Sequence, residues 1–212
     1  MSVGEQEFSR RGSQVGLAVL LALAAIAALW FVASRLVAYG TVDPGAYGDL
    51  WPRRIGFLPH MAGGIVAILT GIAQLWLGLT GRTAGWHRIL GRIYVGGVAV
   101  GAAGGFYLAL TITGGFAYAA GLFTLAVAWI VTTTMAVIAI HNRSIEQHRE
   151  WMIRSYVVTF AFVTFRFFDH WLGVWKVAPN AEIDSFMAFA CWSIPLLIAE
   201  PLIQFSKVAR VG

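Results

Sequence analysis

A polar stripe runs along residues 148–170, a segment that is otherwise apolar and long enough to cross a membrane. At about 100° per residue on an α-helix, the side chains of the stripe project within about 40° of one line; they are His148, Ser155, Thr159, Arg166 and His170. Ionisable groups at membrane depth are costly and usually face a protein interior, a cavity or a cofactor. The stripe is therefore where the sequence predicts a functional site.

The composition indicates the environment in which this stripe lies. Hydrophobic residues make up 58% of the 212-residue chain, and charged residues make up only 12%. An ordinary water-soluble domain of this size does not have such a balance. We therefore expect an all-α, integral membrane protein.

Apolar runs of about 20 residues, the length needed to cross the hydrocarbon core, divide the chain. They predict a six-helix transmembrane domain over residues 15–207, with short cytoplasmic tails at 1–14 and 208–212. The spans are expected at about 15–37, 57–79, 93–113, 116–140, 151–171 and 185–205. We expect the first span to be a retained anchor, because its apolar run is longer than that of a signal peptide.

The basic residues are distributed unevenly between the loops. With the N-terminus inside, ten of the 15 Lys and Arg residues fall on the cytoplasmic side. The positive-inside rule then favours cytoplasmic placement of both termini in a multi-pass protein of the inner (plasma) membrane. This topology accounts for the net charge of +5. The charge therefore indicates contact with anionic lipid at the cytoplasmic face and no nucleic-acid partner.

The histidines fall at helix ends or in the adjoining loops, at two depths. The predicted topology places His60 and His170 near the outer surface, and His87 and His148 near the inner surface. Two histidines from different helices at the same depth can supply both axial ligands of a b-type haem. We therefore expect His60 with His170 as an outer pair of iron ligands and His87 with His148 as an inner pair. Since no CxxCH motif is present, such a haem would be bound non-covalently.

Basic and amide side chains near the histidines would hold the rest of a cofactor. Arg166 lies one turn from His170 and would neutralise a haem propionate, while Arg88 and Arg149 each directly follow one of the inner histidines. Gln74, on the second predicted span, would suit a quinone carbonyl or a hydrogen bond between helices. The leading hypothesis is a small electron-transfer protein that binds haem b or a quinone.

Two other functions remain open. The stripe, Gln74 and Glu200 would also suit a polar pathway in a proton or small-solute transporter or channel-like protein, although Glu200 could instead pair with Arg92 or Arg154. A non-catalytic accessory subunit would use its inner basic loops to dock a partner. The sequence identifies no enzymatic activity. The oligomeric state also stays open, because glycine grooves serve contacts within and between chains equally well.

Motifs between residues 57 and 170 resemble those of a known family. They are His60, Gly71, Gln74, His87-Arg88, Gly91-Arg92, Tyr94, Trp129, His148-Arg149, Trp151-Met152, Arg154-Ser155 and Arg166. In this order they resemble the bacterial predicted membrane proteins catalogued as domain of unknown function 2306. The resemblance implies a multi-helix inner-membrane protein and carries no established activity. In architecture alone, the chain is similar to the diheme cytochrome b561 type, which has six helices and histidines at both faces.

Overall fold

The computed structural model describes residues 3–80, 84–172 and 180–211, which are helical except for short connections. The elements are α1 (Val3–Tyr39), α2 (Pro44–Tyr47), a 3-10 helix (Gly48–Arg53), α3 (Arg54–Thr80), α4 (Ala84–Thr111), α5 (Phe116–His141), α6 (Ile145–Thr159), α7 (Ala161–Leu172) and α8 (Asn180–Val211). No strand occurs in the described ranges. The predicted all-α class is confirmed.

Five helical segments are long and apolar enough to cross a membrane, as judged over the described residues. They are Ala22–Tyr39, Pro44–Gly78, Gly85–Thr111, Phe116–His141 and Ala181–Lys207. These segments correspond to the first four predicted spans and the sixth. The helices extend beyond the predicted spans because helical hydrogen bonding continues into the membrane interface, where the apolar pattern stops.

The region predicted as the fifth span, residues 151–171, is not one continuous helix. α6 and α7 are separated at Phe160, whose backbone N–H donates to the carbonyls of Tyr156 and Val158 in α6. Just before the break, the hydroxyl of Thr159 donates to the carbonyl of Ser155 at 2.8 Å. Threonine hydroxyls that bond to the preceding turn bend helices. The structure thus divides the predicted span into α6 and α7 at a single residue, and helical hydrogen bonds from Phe160 N–H to Tyr156 and from Thr164 N–H to Phe160 continue across it.

The segment between α1 and α3 packs over one end of the bundle, which we call the connector end. The Asp43 carboxylate caps α2 by accepting from two backbone N–H groups of its first turn, at 2.9 and 3.0 Å. Tyr47 is only 3% exposed. Arg53 Nε donates to the carbonyl of Thr111 at 2.8 Å, which ties the segment to the end of α4. The connector is thus a packed part of the fold.

Glycines bring α3 and α4 into backbone contact. A Cβ atom at Gly63 would lie 2.4 Å from the nitrogen of Gly101 and 2.5 Å from the carbonyl oxygen of Gly97. No side chain larger than hydrogen fits there without moving a backbone, as in other small-residue contacts between membrane helices. The glycine groove of α4 therefore serves a contact within the chain.

Candidate functional site

A cavity of about 230 Å³ lies towards the connector end of the bundle. Its wall is formed by α1, α3, α4, α5, α6 and α7, together with Leu50 of the 3-10 helix. Most of the lining side chains are aliphatic or aromatic, and the charged ones are Arg35 and Arg166. No carboxylate lies among the described lining residues. The cavity is therefore an apolar chamber with a positively charged part.

His60 has one ring nitrogen bound to the protein in this wall. Its Nδ1 lies 2.7 Å from the carbonyl oxygen of Gly101. Because a carbonyl can only accept, Nδ1 carries a proton, and in the neutral imidazole the lone pair is then on Nε2. The ring packs edge-on against Phe162, with 5.6 Å between centroids. Gly105 leaves space beside it, since a Cβ there would approach Nδ1 to 3.3 Å.

Aromatic rings hold the two arginines of the cavity. The guanidinium of Arg35 lies 5.8 Å from the ring centroid of Phe31 and 5.7 Å from that of Tyr39. The guanidinium of Arg166 lies 5.8 Å from the ring of Phe165. Contacts of a cation with an aromatic face are attractive and gain strength when water is excluded. These contacts stabilise the positive charges next to the cavity.

A network of buried hydroxyl groups lies beside the cavity and joins α4, α5 and α6. The Oη atom of Tyr94 lies 2.7 Å from Ser155 Oγ and 2.8 Å from Thr159 Oγ1. Trp129 Nε1 donates to Thr159 Oγ1 at 2.8 Å, and Thr133 Oγ1 lies 2.7 Å from Ser155 Oγ. Trp129 and Thr159 also line the cavity. The centre of the sequence stripe is thus hydrogen-bonded within the protein.

The other predicted pair of histidines lies at the opposite end of the bundle. His148 Nδ1 lies 2.9 Å from the carbonyl of Ala136 and therefore carries a proton. His87 lies near the start of α4, at the same end of the bundle. Gln74 Nε2 donates to the carbonyl of His87 at 2.6 Å, while its Oε1 is buried without a partner among the described residues.

The structure describes the side chains of only some of the remaining predicted ligands. Arg88 and Arg149 are exposed at the end of the bundle that carries His148. The side chain of His170 lies outside the described residues, so the predicted pairing of His170 with His60 stays a prediction. Within the described part of the chain, no group of three or more His, Cys, Asp and Glu side chains could hold a metal ion.

The intramembrane carboxylate of Glu200 pairs with Arg154, one of the two partners predicted for it. Arg154 Nε and Nη2 donate to the two carboxylate oxygens at 2.8 and 2.9 Å. Gln204 Nε2 also donates to this carboxylate, at 2.6 Å. Two parallel bonds of this kind fix both the geometry and the charge of the pair. The contact fastens α8 to α6.

Several residues of these sites were missed by sequence reasoning. Arg35 counted only towards topology, because a basic residue close to the end of an apolar run commonly lies at headgroup depth and gives no separate signal of a site. Trp129 and Thr133 lie in the apolar run of α5, and their indole and hydroxyl groups require partners there. Tyr94 was noted only as part of the family motif. Its position opposite Ser155 depends on helix packing, which periodicity does not specify.

Comparison with known proteins yields one match. A family described as "Predicted membrane protein (DUF2306)" matches residues 57–203, which extend from the start of α3 into α8. That range includes 147 of the 212 residues (203 − 57 + 1). No curated protein and no solved structure matches the chain. The matched range includes the hydroxyl network and every lining residue of the cavity except those of α1 and Leu50.

Proposed function

We propose that this protein, which belongs to the DUF2306 family of predicted membrane proteins, binds a quinone in the connector-end cavity and takes part in electron transfer in the membrane. The cavity carries the proposal because it combines an apolar chamber, the acceptor nitrogen of His60 and the cations Arg35 and Arg166. Binding sites for small molecules commonly combine apolar walls with a few polar groups that fix orientation.

The size of the cavity favours a single substituted ring. An apolar protein cavity of about 150 Å³ can hold a benzene molecule. A chamber of about 230 Å³ therefore has room for a quinone headgroup. A porphyrin contains four pyrrole rings and would require a much larger opening. The volume thus supports a quinone, rather than the haem predicted for His60 and His170.

The polar groups suit the two oxygens of a quinone. Arg35 and Arg166 have N–H groups that would donate to a carbonyl oxygen, and His60 Nε2 would accept from the hydroxyl of the reduced form. Both arginines are in the cavity lining, where a carbonyl oxygen of the ring would reach them. A quinone supplies two-electron redox chemistry when it is bound.

Quinone affinity tests the proposal. The reduced, quinol form of a short-chain quinone is titrated anaerobically into the detergent-purified protein while intrinsic tryptophan fluorescence is recorded, since Trp129 lines the cavity and the quinol hydroxyl is the group that would donate to His60. His60→Leu should weaken binding by about tenfold, the effect of losing roughly one hydrogen bond. His141→Leu is the control, because His141 is exposed at the end of α5. Equal affinity in wild type and His60→Leu would contradict the role of His60.

In the proposed topology, the protein lies in the inner membrane of the cell and crosses it six times. Both termini are then in the cytoplasm. α6 and α7 would form one interrupted span, because they follow each other at Phe160 and both pack on α8. Helices that are broken within a membrane are tolerated where protein buries the break. Phe160, at the break, is half-buried.

A second candidate is haem b, and one observation favours it. His60 and His148 each donate Nδ1–H to a backbone carbonyl, the arrangement typical of histidines that bind metal through Nε2. His87 and His148 lie near the starts of α4 and α6, at the same end of the bundle, as the inner pair requires. Haem would supply one-electron chemistry, and Arg88 and Arg149 would contact its propionates. Under this alternative the purified protein has a Soret band that His148→Ala removes, and a colourless wild type excludes it.

A further inference from the structure

A second concave site lies between α6 and α8, at the end of the bundle opposite the connector. It encloses about 290 Å³ and shares no lining residue with the cavity. Its apolar surface includes Ile153, Leu202 and Ile203. Its charged and polar lining consists of Glu146, Arg149, Glu150, Ser206 and Lys207. We call this site the α6–α8 groove.

Glu150 lacks a hydrogen-bond donor at one of its oxygens. Its Oε2 lies 2.9 Å from Lys207 Nζ and 3.7 Å from Arg154 Nη1. Its Oε1 is buried and accepts no hydrogen bond from any described residue. A buried carboxylate oxygen without a donor is unfavourable, so such an atom calls for an explanation. Glu150 lines the groove, so a molecule bound there would be next to this carboxylate.

The groove also contains positive charge beside this carboxylate. Arg149 is exposed in its lining, and the side chain of Lys207 is 39% exposed. Arg154 is already held by the two-bond pair with Glu200, which keeps it in place behind Glu150. One site therefore contains both a carboxylate that needs a donor and basic groups that can bind an anion.

We propose that the α6–α8 groove binds the headgroup of phosphatidylethanolamine. The primary ammonium donates to Glu150, the phosphate contacts Arg149 and Lys207, and the glycerol and upper acyl chain lie on Ile153 and the apolar side chains of α8. Basic residues near the ends of membrane helices commonly lie at headgroup depth. The inference does not rest on quinone binding, because the two sites share no residue.

The chemistry of Glu150 distinguishes this lipid from other phospholipids. A primary ammonium has three N–H donors, as in lysine, whereas the quaternary ammonium of phosphatidylcholine has none. Phosphatidylglycerol has no cation to place against the carboxylate. Charge-assisted hydrogen bonds are among the stronger polar contacts in proteins. The groove should therefore prefer the lipid whose headgroup donates to the carboxylate.

Native mass spectrometry of the delipidated full chain in detergent tests the preference. The protein is titrated with phosphatidylethanolamine, its N-methyl and N,N-dimethyl forms, and phosphatidylcholine, all with the same acyl chains. Affinity should fall along this series to about tenfold weaker for phosphatidylcholine, which corresponds to roughly 1.4 kcal/mol. Phosphatidylglycerol should also bind less tightly. Equal affinity across the methylation series would overturn the proposal.

Matched variants locate the preference. Glu150→Gln should bind phosphatidylethanolamine no better than phosphatidylcholine, whereas Glu182→Gln, at an exposed position near the start of α8, should behave as wild type. Retention of the preference in Glu150→Gln would refute the assignment of the ammonium site. Arg149→Gln serves as a second variant if Glu150→Gln fails to fold. It should bind both lipids more weakly, and unchanged binding would refute the phosphate contact.

Discussion

At the scale of single residues, buried polar groups join helices that apolar packing alone would leave free to slide. Tyr94 is fully buried, and its hydroxyl reaches two side chains of α6. Water cannot replace these bonds in the centre of a membrane bundle. The satisfied groups of the stripe therefore favour a structural role over a polar pathway. A transport function would require Ser155 and Thr159 to exchange these partners for a solute.

Removal of the Tyr94 hydroxyl should destabilise the fold. Tyr94→Phe keeps the ring but leaves Ser155 and Thr159 without their shared partner, and we expect a loss of about 1–2 kcal/mol. Reversible unfolding in mixed micelles measures this change in free energy. Tyr107→Phe is the matched control, because Tyr107 is on the same helix and is 39% exposed. Equal stability of the two variants would show that the hydroxyl bonds contribute little.

The buried cation of α6 provides a second test at this scale. The side chain of Arg154 is only 11% exposed and neutralises Glu200 and Glu150. Arg154→Met would leave these carboxylates without their shared cation, and we expect a loss of about 2–3 kcal/mol. Arg92→Met, at an exposed position near the same end of the bundle, should change stability little. The free energy of unfolding of the two variants decides between these outcomes.

The sequence predicts which residues are polar at membrane depth but not which of them meet. Ser155 and Thr159 stand out because they interrupt an apolar face at helical spacing. Their partner Tyr94 is 61 residues from Ser155, so that the contact depends on how α4 packs against α6. For Glu200, charge complementarity left two arginines open. Only the packing of α8 on α6 selects Arg154.

At the scale of helices, the contact between α3 and α4 determines the shape of the cavity wall. Backbone approach at Gly63 brings α4 close to α3, and the same approach puts the carbonyl of Gly101 within reach of His60. The orientation of the His60 ring therefore depends on glycines one turn away along the two helices. Packing and site geometry are linked at this contact.

A methyl group at Gly63 should disturb this contact. Gly63→Ala would place a carbon 2.4 Å from a backbone nitrogen of α4, so that the helices must separate. Overpacking of this kind costs roughly 1–3 kcal/mol, and we also expect weaker quinone binding. Gly96→Ala is the control, since nothing lies within 4 Å of a Cβ there. A Gly63→Ala variant as stable as wild type would contradict the close approach.

Apolar length predicts most helices of this bundle but not the break in the region from 151 to 171. A break without proline or glycine leaves no strong signal in an apolar pattern. Thr159 and Thr164 both bond to the preceding turn. Thr132 and Thr133 do the same within the uninterrupted helix α5, so these bonds do not predict where a helix breaks.

At the scale of the whole molecule, the number of crossings determines which side of the membrane each terminus occupies. Six crossings place both termini on the same side, whereas five would place them on opposite sides. The positive-inside distribution predicts that this side is the cytoplasm. The composition predicts a membrane protein directly. Whether the chain crosses the membrane five or six times depends on the short, polar helix α6.

Reporter fusions should therefore give the same result at both termini. An enzyme that is active only in the cytoplasm should be active when it is fused before residue 1 or after residue 212. A fusion in the connector, at Gly48, should be inactive. Opposite results at the two termini would show that α6 and α7 do not together cross the membrane.

The cavity is the part of the molecule that the sequence described least well. Its walls come from six α-helices, and its cations come from α1 and α7, which are far apart in the chain. The sequence predicted His60 and Arg166 for one outer haem site, His60 as an iron ligand paired with His170 and Arg166 as the partner of a propionate. The cavity lining contains both residues and adds Arg35.

The most direct measurement is a borohydride-reduced minus oxidised ultraviolet–visible spectrum of the protein purified in mild detergent from quinone-containing membranes. Quinone binding predicts that reduction bleaches the near-ultraviolet quinone absorption in proportion to protein, and that this signal is smaller in His60→Leu. No Soret band should be present. A spectrum without quinone absorption, or one dominated by reduced haem bands, would contradict the quinone assignment of the cavity.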